Sequence, residues 1–124
     1  MTIAEAINKV DALIPNTYAP EDKIQWLSAL DSRLKTQIID THQQTDPVYF
    51  YGYSGMMDLE TELLVKEPYD EMYLRWLEAQ IHYHNSEDER YNNAIILFNN
   101  AYEGYKKHYT RTHMPLSQGK RFIF

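Results

Sequence analysis

Five histidines and several runs of neighbouring carboxylates are the residues of this chain whose types can do chemistry. His82 and His84 suggest a metal pair, while Asp70 with Glu71, and Glu87, Asp88 and Glu89 together, suggest paired carboxylates for general acid and base work. Their spacing argues against both. Residues two apart on a helix point about 200° away from each other, so His82 and His84 cannot grip one ion from a regular helix. Adjacent carboxylates diverge too, and acidic groups in a first turn already have a role against the positive end of the helix dipole. His42, His108 and His113 fall near helix ends or in the tail, where a cap or surface position accounts for them. The chain has no cysteine, which excludes disulfides, thiolate metal sites and cysteine nucleophiles. It also has no glycine-rich phosphate loop, no G-x-S-x-G and no HExxH. No catalytic, cofactor-binding or metal-ligating residue is assigned, and the expectation is a protein that is not an enzyme and takes no cofactor.

The elements that carry these residues are helical. Thr2 with Glu5 forms an S/T-x-x-E capping box, followed by Ile3, Ile7, Val10 and Ile14 with Ala6 and Leu13 beside them. Pro15 and Asn16 stop this helix. A second begins near Pro20, with Glu21 and Asp22 in its first turn. Ile24, Leu27, Leu30, Leu34 and Ile38 form its stripe, and it runs to about Thr41 or His42. Trp26 and Ile39 lie off the stripe centre, to widen the buried face or to meet another subunit. The third helix follows Pro68, with Tyr69, Met72, Tyr73, Trp76, Gln80 and Tyr83 on one broad face and Leu77 and Ile81 extending it. In HNSEDER, Ser86 and Glu89 predict a second capping box, hence a very short connection and an antiparallel hairpin. The fourth helix, to about Tyr109, is expected to bury Tyr91, Ile95, Phe98, Tyr102 and Tyr105, with Ala94 and Ala101 allowing close approach. Asn92-Asn93 and Asn99-Asn100 recur on one flank, either solvated or bonding across a helix contact.

Residues 43–66 break the helical period. VYFYGY, rich in β-formers and followed by Ser-Gly, predicts a short strand or hairpin arm, with Val48, Phe50 and Gly52 on one face and Tyr49, Tyr51 and Tyr53 on the other. A loop this long in a small domain is usually functional or poorly ordered. The fold expected is all-α, a four-helix antiparallel bundle-like domain over 1–110, with a long hairpin of the third and fourth helices and an extended C-terminal arm over 111–124.

With 124 residues, 44% hydrophobic and 24% charged, the chain is expected to form one globular core. Eleven tyrosines suit core edges and partly wet interfaces. No basic-then-apolar leader pattern opens the sequence and no apolar run is long enough to span a membrane, so a soluble, unprocessed protein with no membrane partner is expected. The net charge of −6 is unevenly placed: residues 67–105 carry two basic and eight acidic groups, whereas residues 106–124 carry five basic and none acidic. A basic tail on an acidic body points to a partner with an acidic surface, another copy included. A DNA reader would show a basic recognition face on its helices, and these helices are acidic. The closing Lys120, Arg121, Phe122, Ile123 and Phe124 form a basic, apolar terminus, built to dock on a partner or to pack on its own domain.

The blocks WLSALDSRL with IIDTH, PYDEMYLRWLEAQI, RYNNA and YTRTHMP resemble the head-tail connector, or neck adaptor, proteins of tailed bacteriophages and prophages. The likeness covers nearly the whole chain apart from residues 43–60 and the last ten. It implies an all-helical structural virion protein forming a ring of about a dozen copies beneath the portal protein and around the DNA channel. The partners implied are the portal, neighbouring copies and other neck or tail proteins, with DNA passing non-specifically, and the location is the virion neck after assembly in the host cytoplasm. It places Lys120, Arg121, Phe122, Ile123 and Phe124 at the portal contact. Beside that, Val48, Tyr49, Phe50, Tyr51 and Tyr53 are expected at a subunit or portal contact. The alternative is a small nucleic-acid-binding or packaging-regulatory protein using its basic tail on phosphates.

Overall fold

The computed structural model describes residues 1–44 and 46–116. Helix α1 spans Ile3–Leu13, α2 Pro20–Leu34, α3 Met72–His84 and α4 Asp88–Thr112. The fold is all-α, and α3 and α4 form a long, closely packed hairpin. Among the described residues no helix is long and apolar enough to cross a membrane.

Thr2 starts α1 as its side chain predicts. Its hydroxyl accepts the Glu5 N–H at 3.1 Å while Glu5 Oε1 accepts the Thr2 N–H at 3.1 Å. These bonds, the backbone one foremost, hold the Glu5 carboxyl below its usual range. The next free N–H groups, of Ile3 and Ala4, donate to the carbonyls of Thr61 and Leu59 at 3.0 and 2.8 Å, so the loop before α3 serves as part of the α1 cap. Ile3, Ala6, Ile7 and Val10 are buried; Leu13, expected beside them in the last turn, is exposed. Asp11 ties α1 to α2 through the buried Lys23 ammonium at 2.7 Å.

Pro20 opens α2, and Ile24, Leu27, Leu30, Leu34 and Ile38 are all buried, as their spacing predicts. The helix does not end at Leu34 but widens over Lys35–Ile39 into one π turn, closed by the Asp40 N–H to the Lys35 carbonyl at 2.8 Å. The extra residue in the turn lets the adjacent Ile38 and Ile39 both face inward. Past it, Gln43 N–H donates to the Met114 carbonyl at 2.8 Å and Leu116 N–H to the Thr41 carbonyl at 2.9 Å, so the chain leaving α4 is laid against the end of α2.

Facing aromatics fill the α3–α4 seam. Trp76 meets Phe98 at 4.9 Å between centroids, Phe98 meets Tyr102 at 5.7 Å, and Tyr83 meets Tyr91 at 5.6 Å. Phe98, Tyr102 and Tyr105 are buried as expected, joined by Ala94 and Tyr109, whereas Tyr91 and Ile95 are only half-buried and Tyr83, beside the turn of the hairpin, is exposed. The expected capping box of Ser86 and Glu89 does not form. Ser86 takes a left-handed φ of 58° that closes α3, so α4 starts one residue later behind Glu87, with no side-chain cap. The Glu87 carboxylate is occupied instead by the His82 ring at 3.1 Å, the Asn85 amide at 3.1 Å and Arg90 at 3.0 Å.

Because Phe98 is fully enclosed between three helices while Ile96 faces solvent, their removal should differ sharply. Phe98→Ala is expected to lower unfolding free energy by about 3–5 kcal/mol in urea titration, and Ile96→Ala to stay within about 0.5 kcal/mol of wild type. Equal losses would mean the α3–α4 seam is not the core described.

Candidate interaction surface

The segment between the π turn and α3 positions half of the residues singled out for contact. Among its described residues it contains no strand, contrary to the expected strand or hairpin arm, and their regular structure is one short 3-10 turn over Gly55–Asp58. The reason is pairing: β-formers need a neighbouring strand to take up their N–H and C=O groups, and this segment packs against helices, whose own groups are already bonded.

The expected alternation nonetheless survives for four residues. Val48 and Phe50 are half-buried, while Tyr49 and Tyr51 are 72% and 92% exposed. It breaks at Gly52, whose φ of +96° reverses the chain's course, so Tyr53 turns inward instead of joining Tyr49 and Tyr51. Phe50 and Tyr53 then pack edge to face at 5.0 Å, and the Tyr53 N–H donates to Ser28 Oγ at 3.1 Å. Lys120, Arg121, Phe122, Ile123 and Phe124 lie outside the described residues.

What holds this segment is a group the sequence reading missed. Asp31 on α2 is fully buried. Its Oδ2 accepts the Tyr53 hydroxyl in a short bond and the Leu64 N–H at 3.2 Å, and its Oδ1 accepts the Tyr73 hydroxyl at 2.6 Å. Tyr73 in turn accepts the Val65 N–H at 2.8 Å. Burial pushes the Asp31 carboxyl above its usual range, against the lowering effect of these bonds. Burial, followed by the nearby Asp31 charge, raises both the Tyr53 and Tyr73 phenols, so they remain donors at any ordinary pH. The only hint in the sequence was an aspartate inside an otherwise apolar stripe, Leu27, Leu30, Asp31, Leu34.

A cleft of about 320 Å³ lies behind the segment, lined by Ile39, Gln44, Val48, Leu64, Tyr105 and Tyr109 among others. The Tyr109 hydroxyl donates to Gln44 Oε1 at 2.8 Å across it, and burial pushes the Tyr105 phenol up to about 12. His42, expected at a cap or on the surface, takes the cap position, and is buried there. Its Nδ1 lies 2.6 Å from the Ile38 carbonyl and its ring stands edge-on to Tyr109 at 5.1 Å. His82 and His84 engage separate partners, Glu87 and the Gln80 carbonyl. Among the described residues no three His, Asp or Glu side chains are grouped to hold a metal ion. All four asparagines of the repeated pairs on α4 are exposed.

The arrangement is therefore suited to contact: two outward tyrosines on a chain segment whose inner side is pinned to the core. Comparison of the chain with protein-family models, with curated proteins and with solved structures finds no match.

Two outcomes follow from the Asp31 cluster. Tyr53→Phe is expected to cost about 1–3 kcal/mol in urea unfolding, and Tyr73→Phe more, because it also strands the buried Val65 N–H. A neutral Tyr73→Phe would mean that the carboxylate does not depend on these donors. The second concerns pH. A carboxyl whose folded pKa is raised binds its proton more tightly when folded, so its contribution is most favourable below the unfolded value of about 4 and is lost as pH rises through the folded value. Asp31→Asn should thus gain on wild type as pH goes from about 4 towards 7. A stability difference that is flat over that window would refute the assignment.

Proposed function

We propose that this chain is a structural virion protein, a head-tail connector subunit that forms a ring beneath the portal and around the DNA channel of a tailed bacteriophage or prophage. The observation that carries the reading is the pairing of Tyr49 and Tyr51, large and outward, with a segment fastened from within by Asp31. Aromatic side chains held rigidly at low entropic cost are the usual anchors of protein interfaces. A ring needs two different complementary surfaces on each subunit. The tyrosine segment is one candidate and the basic, apolar residues 120–124 are the other. The acidic stretch 67–105 also supports it, since a wall poor in basic groups lets DNA pass without holding its phosphates.

Residues 114–116 lie against 41–43, so a deletion that spares the fold should begin after Leu116. The full chain mixed with the portal protein from the same genome is expected to give a ring-sized or stoichiometric complex by light scattering that persists at moderate salt. Removing residues 117–124, or changing Tyr49 and Tyr51 together to Ser, should abolish it while leaving the melting transition in place. A chain that ignores the portal and instead shifts mass on adding DNA, with binding that falls steeply as salt rises, would replace the connector reading with nucleic-acid binding.

A further inference from the structure

The outward face of α4 carries a pattern that the tyrosine segment and the tail do not account for. At 3.6 residues per turn, Glu89, Asn93, Ile96, Asn100, Lys107 and Arg111 fall within about 60° of one another, opposite the buried line of Phe98, Tyr102 and Tyr105. All six are exposed, and Ile96 is 56% exposed. Among the described residues none of the three charged members has an ion-pair partner. The face is acidic at its start, apolar with amides at its middle and basic at its end, with the exposed Glu103 on its border between Asn100 and Lys107.

Gly104 sits at the edge of the same face. Glycine inside a helix is less favourable than alanine by roughly 0.5–1 kcal/mol. Here nothing of the chain lies within 4 Å of where a Cβ would stand, and the backbone is ordinary helix, so the fold itself does not require glycine. The residue leaves a notch that something else can fill.

We infer that this face docks on itself: two copies of the chain pair α4 against α4, antiparallel, about a two-fold axis passing beside Asn100. That register sets Glu89 opposite Arg111 of the second copy, Asn93 opposite Lys107, and Ile96 opposite the notch at Gly104, each pair occurring twice. The two Asn100 amides meet at the axis, where each can donate to the other's carbonyl. The charge pattern selects the occupant, because a parallel copy would bring like ends together, whereas the antiparallel one sets Glu89 against Arg111 at both ends of the contact and Lys107 against a neutral amide. A single helix pair of this length, with charged ends, makes a small, salt-sensitive contact rather than an obligate dimer. The inference stands independently of the connector reading.

The chain's lack of cysteine makes the test direct. In full-length Asn100→Cys the unique thiols would meet at the axis and oxidise to a disulfide-linked dimer at low salt. In Asn93→Cys the two thiols would lie about 21 Å apart, from fourteen residues at 1.5 Å each, and should not link. Sedimentation velocity below about 0.1 M salt should show a concentration-dependent monomer–dimer equilibrium that weakens as salt rises. Gly104→Leu should shift it to monomer while raising the melting temperature, so lost pairing cannot be put down to misfolding. Glu89→Arg and Arg111→Glu should each weaken pairing about tenfold or more, and the double swap should restore it. Linking at Asn93→Cys equal to that at Asn100→Cys, or a chain that stays monomeric at low salt, would overturn the inference, as would a dimer unmoved by Gly104→Leu.

Discussion

A carboxylate with no access to water sits at the junction of α2, α3 and the long connection between them, and much of the structure follows from keeping it satisfied. An ionised group removed from water is tolerated only when its oxygens are bonded, and the three partners of Asp31 are neutral donors rather than a cation. They come from Tyr53, Leu64 and Tyr73, which lie 22, 33 and 42 residues along the chain. Their convergence fixes the rotation of α3, since Tyr73 must face α2 rather than the seam with α4. It fixes the path of the connection, since Leu64 must offer its N–H where Leu63 and Val65 can enter the core. A chain with a leucine at position 31 would keep the apolar stripe and lose this instruction.

The rest of the fold distributes its bonding in the same economical way. The connection that Asp31 holds also caps α1 through Thr61 and Leu59, so the loop replaces what a longer helix or a strand would supply. At the opposite end, the π turn after α2 brings Ile38 and Ile39 inward and leaves His42 against Tyr109, where the chain leaving α4 closes over it. The α3–α4 hairpin is joined to α2 by Trp76 donating to the Trp26 carbonyl at 2.8 Å and by the Arg33 guanidinium over the Tyr102 ring at 4.5 Å. Polar tips of aromatic residues thus make cross-helix bonds that an aliphatic core would lack, which accounts for much of the chain's tyrosine.

The helices were legible because their periodicity and their caps depend on neighbours in sequence. The stripe of α2, the Thr2 box and the antiparallel turn after His84 all rest on separations of a few residues. What was illegible depends on distant ones. Nothing local distinguishes Asp31 from a surface aspartate, and its role appears only when Tyr53 and Tyr73 arrive. VYFYGY read as strand because propensity reports side-chain shape, while a strand exists only if another strand pairs with it. Ser86 failed as a cap because the closing of α3 claimed its backbone first. Of the tyrosine segment, the facing of Tyr49 and Tyr51 away from Val48 and Phe50 was foreseen and the inward turn of Tyr53 was not, for want of the φ that Gly52 adopts.

The two proposed contacts differ in symmetry, and that difference governs how they can coexist. A ring is built from heterologous contacts, in which every copy faces the same way around the axis and each joint uses two unlike surfaces. The α4 face is self-complementary and closes at two copies. Within a single ring no two neighbours are related by a two-fold axis, so an α4 pair can join only copies outside a ring or copies in two rings set face to face. The contacts also differ in chemistry. One rests on exposed aromatics, whose burial is little affected by salt, and the other on opposed charges at the ends of a helix, which salt screens. Paired subunits would therefore be the weaker state, yielding to a partner that offers the tyrosines an apolar seat. A self-contact of this kind satisfies α4 while its copies wait and stops growth at two, which an open heterologous surface cannot do alone.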